Sequence, residues 1–343
     1  MTQSIPKAEL TGSAAENVSK LFGDFSFEEI VEEITQGKFS PDTGNLINRL
    51  MGLFFGELKT AFALVGSIAA LILLCSFVSN LHKSFGKNGV SEATGFALFV
   101  YIATVAAAIF KNAGDYVAQA LRDITTLVHS IIPSMSVLCV SSGQPLAASL
   151  SHPVIFFICS AAGTLIKNVI TPLVLLRAVC TLLCAVTGNE SLEDFSGLFA
   201  KVHKTLLAFS MSLFAGILGV SSFAATGFDN LAARGVKFAI SASVPVVGGS
   251  ISEAMSSVAG SSMLLKNAVG LGGVIILFAI FAIPLIKLWA LSLALRLTAA
   301  FTAPVSEKRT TLVLRKLGDC IDMLFSSVAC MGTIMIIAIA AIL

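Results

Sequence analysis

Apolar residues in this chain come in blocks of about twenty, the length an α-helix needs to cross a hydrocarbon core about 30 Å thick. Thr60 to Ser79 is charge-free and forms the first block. Ala93 to Phe110 and Ile124 to Val140 form the next two, the latter kinked at Pro133, with an amphipathic stretch at 111–123 between them that carries Lys111, Asp115, Arg122 and Asp123. Val154 to Thr187 is long for one span, and Pro172 offers a bend within a single crossing. Thr205 to Phe228, with Gly216 and Gly219 for close helix approach, Asn267 to Ile286, Leu288 to Pro304 and Leu324 to Leu343 complete eight predicted crossings.

Ahead of the first block the pattern changes. Val18, Leu21, Phe22, Phe25, Phe27, Ile30, Val31 and Ile34 alternate with acids at helical spacing, which predicts short amphipathic helices over 14–38. A second such stretch, Leu46 to Leu58, carries Gly52 and Gly56 as a GxxxG, read as helix packing or an interfacial lie. Residues 1–59 hold nine acids and five bases and form an acidic, amphipathic region outside the membrane; 60–343 form the multi-pass domain. Met1 to Gly12 is polar, with no apolar segment after its lysine, so no signal peptide is expected there.

One stretch breaks the rule of clean spans. From Phe238 to Leu265, Pro245 and the pair Gly248-Gly249 interrupt apolar sequence and free backbone amides and carbonyls. In hydrocarbon each unsatisfied group costs several kcal/mol, so this predicts a broken or re-entrant element buried among other helices.

Composition agrees with a polytopic, all-α membrane protein: 56% of residues are hydrophobic and 12% charged, against roughly 25% charged in soluble domains. Mean hydropathy is +0.91. Short basic loops collect on the cytoplasmic side. Lys83/Lys87, Arg234/Lys237 and Lys308/Arg309/Arg315/Lys316 are therefore expected inside, with the N-terminal region and, after eight crossings, the C-terminus outside.

Charges within apolar blocks are the candidate functional residues. A charge at the bilayer centre costs about 2.5 to 3.5 kcal/mol on insertion scales, so Lys167, Arg177, Glu253, Lys266, Lys287 and Arg296 need an explanation. Either Lys167, Lys266 and Lys287 sit near span ends and snorkel, or Glu253 pairs with Lys266 or Arg296, or several of them line a polar path. No phosphate loop, HExxH, GxSxG or GxGxxG pattern is present, so no enzyme activity and no cofactor are expected. The seven cysteines fall mostly in apolar runs without a CxxC pair and read as small buried hydrophobes, not metal ligands.

AAGTLIKNVI at 161–170 echoes SSMLLKNAVG at 261–270, and FKNAG at 110–114 echoes both. Pseudo-symmetric halves and broken helices suit an autonomous small-solute transporter, which is one functional reading.

The other rests on a resemblance. GVKFAISASVPVVGGSISEAMSSV followed by LLKNAVGLGGVIIL resembles the signature of the stage III sporulation protein AE family, and GNLINRLMGLFFGELKTAF, GVSEATGFALFVYI and IIPSMSVLCVSSGQPLAASLSHPVIFF fit it too. The resemblance covers nearly the whole chain, with PVVGG at Pro245 to Gly249 and KNAVG at Lys266 to Gly270 its most specific pieces. It implies a membrane component of the channel complex that links mother cell and forespore, needed for late forespore gene expression. The protein would sit in the mother-cell membrane around the forespore, beside other stage III A proteins that include a separate ATPase, and face a forespore-side partner. On this reading Pro245, Gly248, Gly249, Glu253, Lys266, Asn267 and Gly270 form a subunit contact or gate. Expected contacts are the bilayer, those proteins and possible further copies of the chain, and not nucleic acid.

Overall fold

The computed structural model describes the backbone of residues 12–23, 27–38, 43–84, 88–187, 189–243, 248–306 and 308–341. Residues 78–84, 88–95, 222–243 and 248–256, with a few isolated positions, are described by backbone alone. All regular structure among the described residues is helical.

The acidic start folds as its pattern predicts. Ala14, Val18 and Leu21 are buried on one face of α1 (Gly12–Phe22), and Phe27, Ile30 and Val31 on one face of α2 (Phe27–Thr35), while Glu29 and Glu32 are exposed. Lys20 Nζ lies 2.6 Å from Glu16 Oε1, and this bond holds the Glu16 carboxyl below the usual carboxylate range.

The long helices follow: α3 (Thr43–Ser84), α4 (Asn88–Ser141), α5 (Pro145–Leu165), a widened π turn (Ile166–Ile170), α6 (Thr171–Thr187), α7 (Glu190–Ser243), α8 (Gly248–Thr302) and α9 (Lys308–Ala340). α3 continues unbroken across the predicted boundary at residue 59. Among the described residues six stretches are long and apolar enough to cross a membrane: Gly44–Leu74, Val100–Ser141, Pro153–Ala185, Ser191–Ser221, Gly260–Thr302 and Thr310–Ala340.

Eight predicted spans thus become six helices, because two expected interruptions are helical. Along 111–124, Lys111, Asp115 and Arg122 are exposed while Ala113, Val117, Ala120, Leu121 and Ile124 are buried, so this segment continues α4 as one amphipathic helix and joins the spans predicted on either side. In α8, neither Pro284 nor Lys287 ends the helix, and the spans predicted at 267–286 and 288–304 are one rod. A buried proline removes one backbone donor, which neighbouring helices in a bundle tolerate. The long run from Val154 is one candidate crossing made of α5, the widened turn at Ile166–Ile170 and α6, with Pro172 directly after the widened turn.

The predicted central break is helical wherever it is described. Phe238 to Ser243 closes α7 and Gly248 to Leu265 opens α8, both as ordinary helix. Pro245 lies outside the described residues, as do the side chains of Gly248, Gly249 and Glu253.

Close helix approach is carried by glycines on α8 and α9. A Cβ built at Gly332 would lie 2.9 Å from two ring carbons of Phe281, one at Gly273 would lie 2.9 Å from Ile131 Cδ1, and one at Gly272 would meet Val31 of α2 at 3.0 Å. Such small residues let membrane helices pack backbone to side chain without a gap. Among the described residues nothing lies within 4 Å of a Cβ at Gly216 or Gly219, and the same holds for Gly52 and Gly56.

Three contacts mark the two ends of the bundle. At one face the Ser76 hydroxyl of α3 donates to the Val305 carbonyl in the α8–α9 turn, and Lys316 of α9 meets Glu193 of α7 at 2.6 Å. At the other, Lys266 Nζ donates to Gln144 Oε1 in the α4–α5 turn at 2.8 Å. Along α8, Lys266 and Arg296 are about 45 Å apart, which is the thickness of a bilayer with its headgroups.

With each of the six apolar stretches crossing once, one expectation about sidedness would change. The α3–α4 connection and the start of α9 remain on one side, but Arg234 and Lys237, near the far end of α7, move to the other. Topology reporters fused after Lys237 and after Arg309 are expected to report opposite sides of the membrane. The same side from both would restore the eight-span arrangement.

Candidate functional site

Charges converge where α6, α7, α8 and α9 end at the Arg296 face. Asp319 and Asp322 are three residues apart on α9 and share a face of the helix. Arg296 of α8 donates from Nη2 to Asp319 Oδ1 at 2.8 Å and also to Asp322 Oδ2. Arg177 of α6 adds a looser contact, with Nη2 at 4.0 Å from Asp319 Oδ2 and Nη1 against Met323 Sδ. Together with Lys316 and Glu193, three cations face three carboxylates, so the network is formally neutral.

Gly318 makes the central pairing sterically possible. A Cβ there would lie 3.1 Å from Arg296 Cγ, so the arginine stem crosses α9 where α9 has no side chain. Beside it Ser292 Oγ donates to the Gly318 carbonyl at 3.2 Å, which fixes the register of α8 against α9.

His203 of α7 completes the cluster. The Ser327 hydroxyl donates to the Met323 carbonyl at 2.8 Å, leaving its oxygen as an acceptor, and His203 Nε2 lies 3.1 Å from both of those oxygens. The proton therefore belongs on Nε2, shared between two acceptors, and Nδ1 is bare and buried without a hydrogen-bond partner among the described residues. Arg177 Nε is buried and unpartnered in the same sense. The Ser327 hydroxyl, 3.1 Å from His203, is itself tied to the Met323 carbonyl. The chemistry of the cluster is that of a clamp, in which charges that would be costly singly hold four helices in one register.

The remaining sequence candidates are scattered. Lys266 is 2% exposed and held by Gln144, with Asn267 half-buried and Gly270 buried on the same stretch of α8. Glu253 shares a helix with Lys266 but is about 20 Å from it along the axis and far farther from Arg296, beyond side-chain reach of either. Lys287 is half-buried, 3.9 Å from Glu57 of α3 and 4.9 Å above the Tyr116 ring of α4. Lying about 14 Å from Arg296 along α8, it is inside the hydrocarbon depth and not at a span end. Lys167 is exposed in the widened turn, near the middle of Pro153–Ala185.

Asp319, Asp322 and His203 were not among the sequence candidates. Their signal was present, since Arg177 and Arg296 in apolar helices demand acids nearby, and two aspartates at helical spacing stand at the edge of the last apolar block.

The chain matches the family model described as stage III sporulation protein AE over residues 25–343. It is 27% identical over 305 residues to the stage III sporulation protein AE of Bacillus subtilis (strain 168), an alignment covering 89% of this chain and 76% of that protein. No solved structure matches it.

Proposed function

Since this chain belongs to the stage III sporulation protein AE family, we propose that it is the membrane platform of a channel complex joining mother cell and forespore. The family gives its role in sporulation, and its apolar helices make it a membrane protein. The observation that carries the reading is the extent of the match, which takes in nearly the whole membrane bundle. The clamp at the Arg296 face supports a platform: its charges are mutually satisfied and tie helices together, with no arrangement aimed at a substrate.

In this reading the protein sits in the mother-cell membrane around the forespore, beside the other stage III A proteins and a separate ATPase. The Arg296 face, which gathers Lys201, Lys204, Lys308, Arg309, Arg315 and Lys316, looks into the mother cell, and α1 and α2 with the α7–α8 junction look toward the forespore partner. The junction, with Pro245, Gly248 and Gly249, is the subunit contact or gate, and the buried Lys266 to Gly270 stretch anchors α8 behind it.

Deletion in the native host is expected to arrest development after engulfment and to abolish late forespore reporter activity. Wild type restores both and Gly249→Val restores neither. Normal sporulation without the gene, in a strain lacking a second copy, would leave an autonomous transporter as the better reading.

A further inference from the structure

We propose that at bilayer depth the bundle is two-sided, with α5 and α7 facing lipid and α1, α2 and the start of α3 facing a water-filled passage. The inference deepens the channel reading, on which the word passage rests, and its test is separate from that of the reading.

The first observation is depth, for which α8 is the ruler. Lys266 and Arg296 stand about 45 Å apart and hydrocarbon takes about 30 Å of a bilayer, so it begins about 7 Å inside either residue. A Cβ at Gly272 would meet Val31, Phe27 and Ile30 of α2 at 3.0, 3.6 and 3.8 Å, which places α2 about 9 Å along α8 from Lys266. Lys287 is 3.9 Å from Glu57 of α3 and within electrostatic reach of Glu16 of α1. Arg49, two turns before Glu57, donates to the Leu21 carbonyl of α1 at 3.2 Å. The two acidic helices therefore lie along α8 between Gly272 and Lys287, inside the hydrocarbon depth.

The second is what these helices turn outward. Glu16 and Lys20 of α1, Glu29 and Glu32 of α2 and Arg49 of α3 are exposed. α2 holds four glutamates and no base in its nine residues.

The third is the other side at the same depth. Phe156 of α5 stacks on His129 of α4, two residues from Ile131, and Ile131 packs against Gly273. Phe156 and Phe157 are thus level with α2, and both are exposed. Phe209 and Leu213 of α7, six and ten residues past His203 toward the Lys266 end, are exposed as well. No Asp, Glu, Lys or Arg occurs in 124–140, 205–221, 267–286 or 324–341, which fixes the bilayer at this level.

Lipid suits the phenylalanine side. It cannot cover the other, because charged side chains at this depth face protein or water. A dry protein contact would have to bring a cation to each glutamate of α2, whereas water solvates them with no partner.

The test uses open membrane sheets from sporulating cells after engulfment, with the sister proteins present and with single substitutions that still support sporulation. A charged, membrane-impermeant methanethiosulfonate is expected to label Lys20→Cys and Glu32→Cys at least fivefold above the wild-type chain, whose own cysteines set the background. Phe157→Cys and Leu213→Cys are expected to stay below twofold until the membranes are dissolved in denaturing detergent. Val31→Cys with Gly272→Cys in one chain is expected to form a disulfide under mild oxidation, which holds α2 at the stated depth. Background labelling of Lys20→Cys and Glu32→Cys overturns the proposal, since protein would then cover that side. Equal labelling of all four overturns it too, since this level would then lie outside the bilayer, as does absence of the disulfide in a double variant that accumulates like wild type. The labelling needs no change at the packed Gly272 and decides by itself if that variant does not accumulate. Because every labelled variant sporulates, a failure here leaves the channel reading standing.

Discussion

Gly332→Val is expected to abolish accumulation of the folded chain in membranes, with Gly332→Ala intermediate between it and wild type. Gly332 on α9 faces the Phe281 ring of α8, and its missing side chain is what lets the two helices meet. A Cβ there would lie 2.9 Å from two ring carbons and 3.1 Å from a third, and the ring is backed at 5.6 Å by Phe278. The ring therefore has little room to retreat, and α8 must move off α9. Overpacking of this kind costs about 1–3 kcal/mol for one added group, and valine adds two more methyls to it. Against a total stability of about 5–15 kcal/mol that is enough to unfold the chain or send it to proteolysis. Protein level and thermal unfolding in detergent give the readout. Phe281→Ala is expected to rescue Gly332→Val in part, because the valine methyls refill the space the ring leaves. Equal loss with and without Phe281→Ala would show that the ring contact is not the cause.

Arg296→Ala should have the second largest effect. It leaves Asp319 and Asp322 side by side near the membrane face, with Arg177 at 4.0 Å as the nearest remaining cation to Asp319. Exposed pairs are worth about 0–1 kcal/mol and breaking a buried pair costs about 3–5 kcal/mol. These side chains are nearly half exposed at the protein surface but face a bilayer boundary, which points to a loss of about 2–3 kcal/mol. Arg296→Lys should fall between, because an ammonium cannot span two carboxylates as a guanidinium fork does. Removing Arg296 together with Asp322 alone should recover most of the loss, since Asp319 then keeps Arg177 and the network is again formally neutral. Thermal unfolding of the four proteins decides it; wild-type stability in Arg296→Ala would show that the clamp contributes nothing.

Much of this architecture was legible in the sequence where one signal acted alone. The charge-free block at Thr60 to Ser79, the long run from Val154 and the amphipathic helices at 14–38 all reflect local chemistry. What escaped depended on pairing. Reading each charge as a cost ended the last span's apolar block at Leu324 and left Asp319 and Asp322 outside it, yet Arg296 neutralises both within the bundle. Lys287 marked a boundary between two spans for the same reason, although Glu57 and Tyr116 accommodate it and α8 runs through. His203 lay just ahead of the block predicted from Thr205; its burial depends on Met323 and Ser327, more than a hundred residues away. Glu253 was a candidate partner for Lys266 until one continuous helix put them about 20 Å apart.

The unbroken length of α8 has a mechanical meaning. Its last turns are bolted to α9 through Arg296, Ser292 and Gly332, while the end that begins at Gly248 reaches about 27 Å past Lys266. A rod held at one end and hydrogen-bonded throughout works as a lever. A 10° bend at Lys266 would carry the Gly248 tip sideways by about 5 Å, roughly one helical pitch, so a small adjustment there becomes a larger displacement at the far end.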